Sequence, residues 1–255
     1  MQVHRTASHE RSPALRGDVA QGGVPEAPCP EFAYSRIFEP EDDVTRGDIF
    51  VISAPSGSGK TTICRALLAR VEGLSLSVSC TTRERKPGER DGVDYYFVDE
   101  EKFGNMLESN EFLETASVFG CRYGTSRHAV EAIVSKGLDA VLEIDVQGGA
   151  SVKAAVPGAV RIGILPPDWE TLRARLTARA RDSRQEIERR LAAARREIGE
   201  LGKYDYLVVN DDLETAVRQV EWIVRARRLR RERTIGVVGR ILGKEGEERD
   251  GSSNG

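Results

Sequence analysis

IFVISAPSGSGKTTICRALLARV, residues Ile49–Val71, joins an apolar run to a Gly/Ser-rich turn and then to apolar residues at helical spacing. Strand, loop and helix in that order form the frame in which backbone N–H groups wrap anionic phosphates. Gly59, Lys60 and Thr61 close the loop in the way a phosphate-binding loop requires, with Lys60 reaching the β- and γ-phosphates and Thr61 offering a hydroxyl to Mg²⁺. The first glycine of the usual pattern is absent, and Ala54 stands in its place. Alanine serves there if its φ stays negative, while Gly57 and Gly59 fall where the turn is tight. The loop Ala54, Pro55, Ser56, Gly57, Ser58, Gly59, Lys60, Thr61 and Thr62 is therefore the candidate ATP site. A Gly-Lys-Thr triplet alone is weak, and a Gly/Ser turn with an exposed lysine is the bland alternative. The flanking strand and helix give the triplet its specificity.

The chain has 255 residues, 39% hydrophobic and 31% charged, with a net charge of −3. That length holds one large domain, and the acidic balance argues against nucleic acid as the main partner. No apolar run approaches the roughly 18 residues that span a bilayer, and the N-terminus lacks the apolar segment of a secretory signal. Cys29, Cys64, Cys80 and Cys121 are scattered, without a C-x-x-C pair or metal-ligand spacing. Reduced thiols in a cytoplasmic protein are the expectation.

Residues 1–45 carry Pro13, Pro25, Pro28, Pro30 and Pro40 and charges without periodicity, which reads as a flexible extension. A transit peptide and a mis-assigned start are the rival readings; Glu10, Asp18 and Glu26 count against the first. A domain over 46–240 follows, and 241–255 reads as a disordered tail. Expected strands are DIFVISA, LSLSVS, GVDYYFV, DAVLEID, AVRIGILP and YDYLVVND. Expected helices are the one after the loop, DEEKFGNMLESNEFLE, SRHAVEAIVSKG capped by Ser126, a region from Asp168 to about Gly199 in two pieces, and LETAVRQVEWIVRARRLRRER. Apolar strands alternating with helices predict an α/β fold: a mostly parallel sheet with helices on both faces, interrupted by an inserted subdomain.

Five further segments narrow the reading: SAPSGSGKTT, SVSCTTRERKPGERDGVDYYFV, EFLETASVFGCRYGTS, LEIDVQG and VVNDDL. In order and spacing they resemble the guanylate kinases, over about Gly47 to Arg233. In that family loops beginning A-P-S-G and G-P-S-G both occur. The resemblance implies a phosphate-loop nucleoside monophosphate kinase fold, with a GMP-binding subdomain at about 79–124 and a helical lid at about 176–198. It implies transfer from ATP to GMP, and to dGMP as well, with Mg²⁺, in purine nucleotide metabolism. The chemistry of that reaction fits the residues. A phosphate monoester is already anionic, so its oxygen needs no general base, and catalysis rests on positioning and charge neutralisation. None of His4, His9 and His128 is then assigned a catalytic role.

The resemblance assigns Arg83, Tyr95 and Tyr123 to the GMP phosphate. Lys86 stands where the family usually has a second arginine, and Arg85 where it has proline. Lysine gives a point charge where arginine gives a planar fork. Guanine offers N1–H and N2–H₂ as donors and O6 as an acceptor. Glu114 matches the carboxylate that reads the donors, Ser79 the hydroxyl that meets O6, and Thr125 the small hydroxyl after Tyr-Gly. Asp145 is placed near guanine N2 or, through water, near Mg²⁺. Glu143 lies two residues before it, on the same face of an expected strand, where the family usually has Asp.

Nine arginines lie between Arg173 and Arg196, diluted by Asp182, Glu186, Glu188 and Glu197. Most read as a solvated helical face. Arg175, Arg179 and Arg190 fit the lid of the family and, with Lys60 and Arg83, form the candidate catalytic set, Arg179 also lying near adenine. Around Arg179 the family often has Gly-Arg-Gly; here the triplet is Ala-Arg-Ala, a stiffer turn. Asn210 matches a residue near adenine, and Asp211 or Asp212 is placed to cap a helix. RARRLRRER reads as a solvated helix end. Two other readings stand beside the kinase: a guanylate-kinase-like module that binds protein partners without catalysis, and a kinase with a changed acceptor base. The first tends to lose residues present here, and Glu114 with Ser79 opposes the second.

Overall fold

The strand that feeds the phosphate loop is the centre of a five-stranded sheet. A computed structural model describes residues 46–118, 120–178 and 183–242. The expected extension, and the tail from residue 243, lie outside the described residues. In chain order the first half comprises β1 (Ile49–Ser53), α1 (Lys60–Arg70), β2 (Leu74–Leu76), β3 (Cys80–Thr81), β4 (Tyr96–Phe97), α2 (Glu100–Glu108), β5 (Phe112–Val118), β6 (Cys121–Ser126) and α3 (Arg127–Val134). The second half comprises β7 (Asp139–Glu143), α4 (Val146–Ala155), β8 (Val160–Leu165), α5 (Trp169–Thr177), α6 (Arg184–Leu201), β9 (Tyr206–Val209), α7 (Leu213–Arg228) and α8 (Arg231–Ile241).

The main sheet runs β2-β7-β1-β8-β9, with every pairing parallel. All five residues of β1 are buried, as a strand covered on both faces must be. Alternation divides them. Phe50 and Ile52 pack with Ile63 and Leu67 of α1 and Val217, Val220 and Val224 of α7. Ile49 and Val51 face Val130 and Val134 of α3 and Val152 of α4. A second sheet, β4-β3-β6-β5, forms the inserted subdomain around Cys80, Phe103 and Phe112. Leu172 and Leu176 of α5 pack on Leu191 and Ala194 of α6, so the long basic region is two helices, as expected.

Four expectations are corrected. LSLSVS is not one strand: β2 ends at Leu76, and the chain enters the second sheet at Cys80. Of GVDYYFV only Tyr96 and Phe97 form a strand. In the expected helix DEEKFGNMLESNEFLE the helical part stops at Glu108; Phe112 onward is β5, paired antiparallel with β6 and carrying an irregular register between Phe112 and Glu114. The terminal helix breaks after Arg228, and α8 carries the chain to Ile241, into the expected tail.

The basic end of α7 is also not simply solvated. Arg227 Nε donates to Asp48 at 2.8 Å, and Arg228 Nε to Asp139 at 2.7 Å. Arg233 of α8 donates from Nη1 to Asp48 at 2.9 Å and to Asp139 at 2.5 Å. The Asp139 side chain is 1% exposed and also accepts from the Asp48 N–H at 2.7 Å. This cluster fastens the helices to the start of β7, at the end of the parallel sheet opposite the phosphate loop. Removing the buried partner of such a group is costly. Asp139→Ala is expected to lower unfolding stability by about 3 kcal/mol in urea titrations; a loss below about 1 kcal/mol would mean that the cluster behaves as a solvent-screened surface pair.

Candidate functional site

The loop leaves β1 with Ser53 fully buried and enters α1 through Gly59, at φ 88°. Gly57 sits at φ 92°, and among the described residues Asn110 is the one non-glycine with positive φ. Ala54 thus keeps an ordinary backbone, which is why alanine serves where the pattern has glycine. The loop is braced from behind. Asn210, 6% exposed, donates from Nδ2 to the Ser58 carbonyl at 2.7 Å. A Cβ on Gly59 would come within 2.4 Å of that nitrogen, so close approach as well as φ demands glycine there. Arg175 donates from Nη2 to the Asn210 carbonyl at 3.1 Å, tying α5 to the same bracket.

Lys60 Nζ donates to the Ile144 carbonyl at 2.8 Å, and Thr61 Oγ1 to Glu143 Oε1 at 2.5 Å. The carboxylate at Thr61 therefore comes from Glu143. Asp145 turns its side chain to the start of α4 and accepts from the Gly148 N–H at 2.8 Å. Thr61 and Glu143 together offer hard oxygen donors beside a lysine, a donor set suited to Mg²⁺ bound partly through phosphate oxygens. From α6, Arg190 Nη1 lies 3.4 Å from Ser56 Oγ and its Nε donates to Glu186 at 3.2 Å. Glu197, counted from the sequence among the diluting acids, faces the same loop. Burial and the nearby Asp145 push its carboxyl above the usual range, opposed by Lys60 and by the Ser56 N–H. Arg179 lies outside the described residues.

The other half of the site is built on the second sheet. Arg83 donates from Nη2 to both oxygens of Glu89, at 2.8 and 3.0 Å, and its guanidinium stands 5.4 Å from the Tyr95 ring centroid. The Tyr95 and Tyr123 rings meet edge-to-face at 5.8 Å. One arginine and two phenols thus converge. Glu89, which the sequence reading did not single out, holds Arg83 in place and also accepts from the Lys86 N–H at 2.8 Å. The Lys86 and Arg85 residues are exposed.

Glu114 and Thr125 are directly opposite across β5 and β6. Glu114 is 6% exposed and accepts from Thr125 Oγ1 at 2.6 Å. Burial pushes its carboxyl up, and Asp145 adds to the effect; the Thr125 hydroxyl opposes it. Its Oε2 would lie 2.7 Å from a Cβ on Gly148, so the first turn of α4 closes on the carboxylate through a glycine. Ser79 is half-buried, and its carbonyl accepts from the Tyr96 N–H at 2.9 Å. Chemically, the arrangement sets an anion-binding loop with a lysine against a buried carboxylate–hydroxyl pair and an arginine between phenols.

Comparison with known proteins points to one family. A family model described as guanylate kinase matches residues 46–227. The chain is 50% identical over 197 residues to a guanylate kinase of Neisseria gonorrhoeae, covering 77% of this chain and 96% of that protein. It is 48% identical over 196 residues to one of Alkalilimnicola ehrlichii, covering 77% and 97%. The crystal structure of guanylate kinase from Anaplasma phagocytophilum superposes with a TM-score of 0.63 at 35% identity, covering 79% of this chain and 96% of that one.

Proposed function

The chain belongs to the guanylate kinase family, and from that premise we propose how its own residues carry the family's reaction. The reaction is transfer of the terminal phosphoryl group of ATP to GMP, giving ADP and GDP. Residues 54–62 wrap the ATP phosphates, with Lys60 neutralising charge at the β- and γ-positions. Arg190 and Arg175 add guanidinium charge from the lid side. Arg83, Tyr95 and Tyr123 hold the GMP phosphate so that its oxygen meets the γ-phosphorus in line. That oxygen is anionic at neutral pH, so no side chain has to remove a proton from it. Glu114 accepts from guanine N1–H and N2–H₂, Ser79 and Thr125 complete the base pocket, and Asn210 carries the adenine side through the loop it braces.

Thr61 and Glu143 would hold Mg²⁺, Glu143 directly or through water, with Asp145 two residues further on, at the cap of α4. When bound, the ion supplies charge neutralisation on the phosphate oxygens. Arg190 and Glu197, both on α6, support a lid that closes with the loop and excludes water. Among the described residues no helix is long and apolar enough to cross a membrane. We place the reaction in the cytoplasm.

The observation that carries the site reading is the buried Glu114–Thr125 pair, set beside a junction whose carbonyl takes Lys60. A carboxylate kept from water, with the Thr125 hydroxyl and N–H beside it, has unused acceptor capacity, and guanine offers two adjacent donors to fill it. The test is ADP formation from Mg-ATP with GMP, AMP, UMP or CMP as acceptor. Rapid turnover with GMP alone is expected; comparable turnover with AMP would refute the role given to Glu114.

A further inference from the structure

Behind the phosphate loop a chain of hydroxyls crosses from α6 to the β7–α4 junction. Tyr204, in the turn after α6, donates from its phenol to Ser53 Oγ at 2.8 Å. Ser53 Oγ donates in turn to the main-chain carbonyl of Asp145 at 3.1 Å. Ser53 is fully buried at the end of β1, one residue before the loop. Each hydroxyl therefore has a donor role and the chain has a single direction, which fixes both protons.

Space has been made for it. A Cβ on Gly149 would come within 2.1 Å of the Tyr204 oxygen, so a glycine in the first turn of α4 admits the phenol. Arg161 holds the ring from the other side, its guanidinium 4.9 Å from the centroid and its Nη2 donating to the Lys203 carbonyl at 2.6 Å. Burial pushes the Tyr204 phenol above its ordinary range, so it keeps its proton and remains a donor at neutral pH.

The junction at the end of this chain is the part of the site that faces both substrates. Glu143 meets Thr61, Ile144 meets Lys60, and Asp145 caps α4, whose Gly148 presses on Glu114. We propose that Tyr204, acting through Ser53, is a positioning residue that sets the β7–α4 junction and thereby couples the lid helix α6 to the phosphate loop and the guanine pocket. It touches neither substrate; it holds the acceptors of Lys60 and Thr61 in the arrangement that the transition state needs. Displacements well below the size of an atom at such a point are enough to slow chemistry severalfold to a hundredfold without loosening substrate binding.

The proposal rests on the site reading above, so Lys60→Ala is measured beside the variants: turnover surviving in that control would refute the site reading whatever Tyr204 does. The variants are Tyr204→Phe, which keeps the ring, Ser53→Ala, and the double substitution, each assayed for kcat and both KM values per folded molecule, with melting recorded. The expected result is a loss in kcat of about tenfold for each single variant, KM for ATP and GMP within about twofold of wild type, and a double variant no slower than the slower single one, because both break one link. A kcat unchanged per folded molecule overturns the proposal. So does a double variant whose loss is the product of the two single losses, since the hydroxyls would then act separately.

Discussion

Lys60→Ala is expected to lower kcat/KM for ADP formation roughly 10³-fold, with GMP binding almost unchanged. The lysine follows directly on the left-handed Gly59 and starts α1, so its direction is set by the backbone. Its ammonium lies 2.8 Å from the Ile144 carbonyl, in the cleft between the loop and the β7–α4 junction. Charge on the transferring group grows there in the transition state, and a preorganised cation acts mainly at that moment. Lys60→Arg is expected to recover little, because a planar fork does not replace a compact ammonium in a tight loop. Steady-state assays with GMP at saturation read the effect; a loss of less than about tenfold would show that Lys60 is not the main cation on the transferring phosphoryl group.

Glu114→Gln is expected to cost roughly 10²–10³-fold in kcat/KM for GMP and to leave the KM for ATP unchanged. The amide turns one acceptor into a donor that faces the donors of guanine. The same variant is expected to be more stable than wild type at neutral pH, on the order of 1 kcal/mol. The sign follows from the raised pKa of this carboxyl. Its folded-state value exceeds the unfolded one, so its contribution is fully favourable below the unfolded pKa and is lost as pH rises through the folded pKa. At neutral pH wild type bears the cost of a desolvated charge, and a neutral amide does not. In wild type the KM for GMP should rise as pH falls through the raised pKa, because the protonated carboxyl no longer accepts from both donors. That acid limb should vanish in the Gln variant. Parallel pH profiles in the two proteins would assign the limb to another group.

What was legible in the sequence was what is local. The apolar run of β1, the glycines at positive φ and the apolar spacing of α1 lie within about two dozen residues, and their meaning does not depend on distant partners. Ser126 caps α3 and Asp212 caps α7 for the same reason. The misread parts depend on tertiary pairing. EFLE has helix-forming residues, yet β6 draws it into a sheet. The first turn of α4 holds Gly148 and Gly149, poor helix formers by propensity. They are required because Glu114 and Tyr204 press against that turn. Glu89 and Glu197 are unremarkable acids in sequence, and become site residues through contacts made by other elements. The basic run at the end of α7 and the start of α8 reads as solvated because its partners lie far off: Asp48 is 185 positions from Arg233 and Asp139 is 94.

That distance has a practical side. The match to the family model ends at residue 227, while Arg228 and Arg233 lie past it. A chain trimmed at that border would retain the residues assigned to both substrates and discard two of the three guanidinium groups described against Asp48 and Asp139. The limit of the family model and the end of the folded helices are separate places on this chain, divided by one short helix. Any shortened version meant for crystallisation or inhibitor screening should be cut after Ile241.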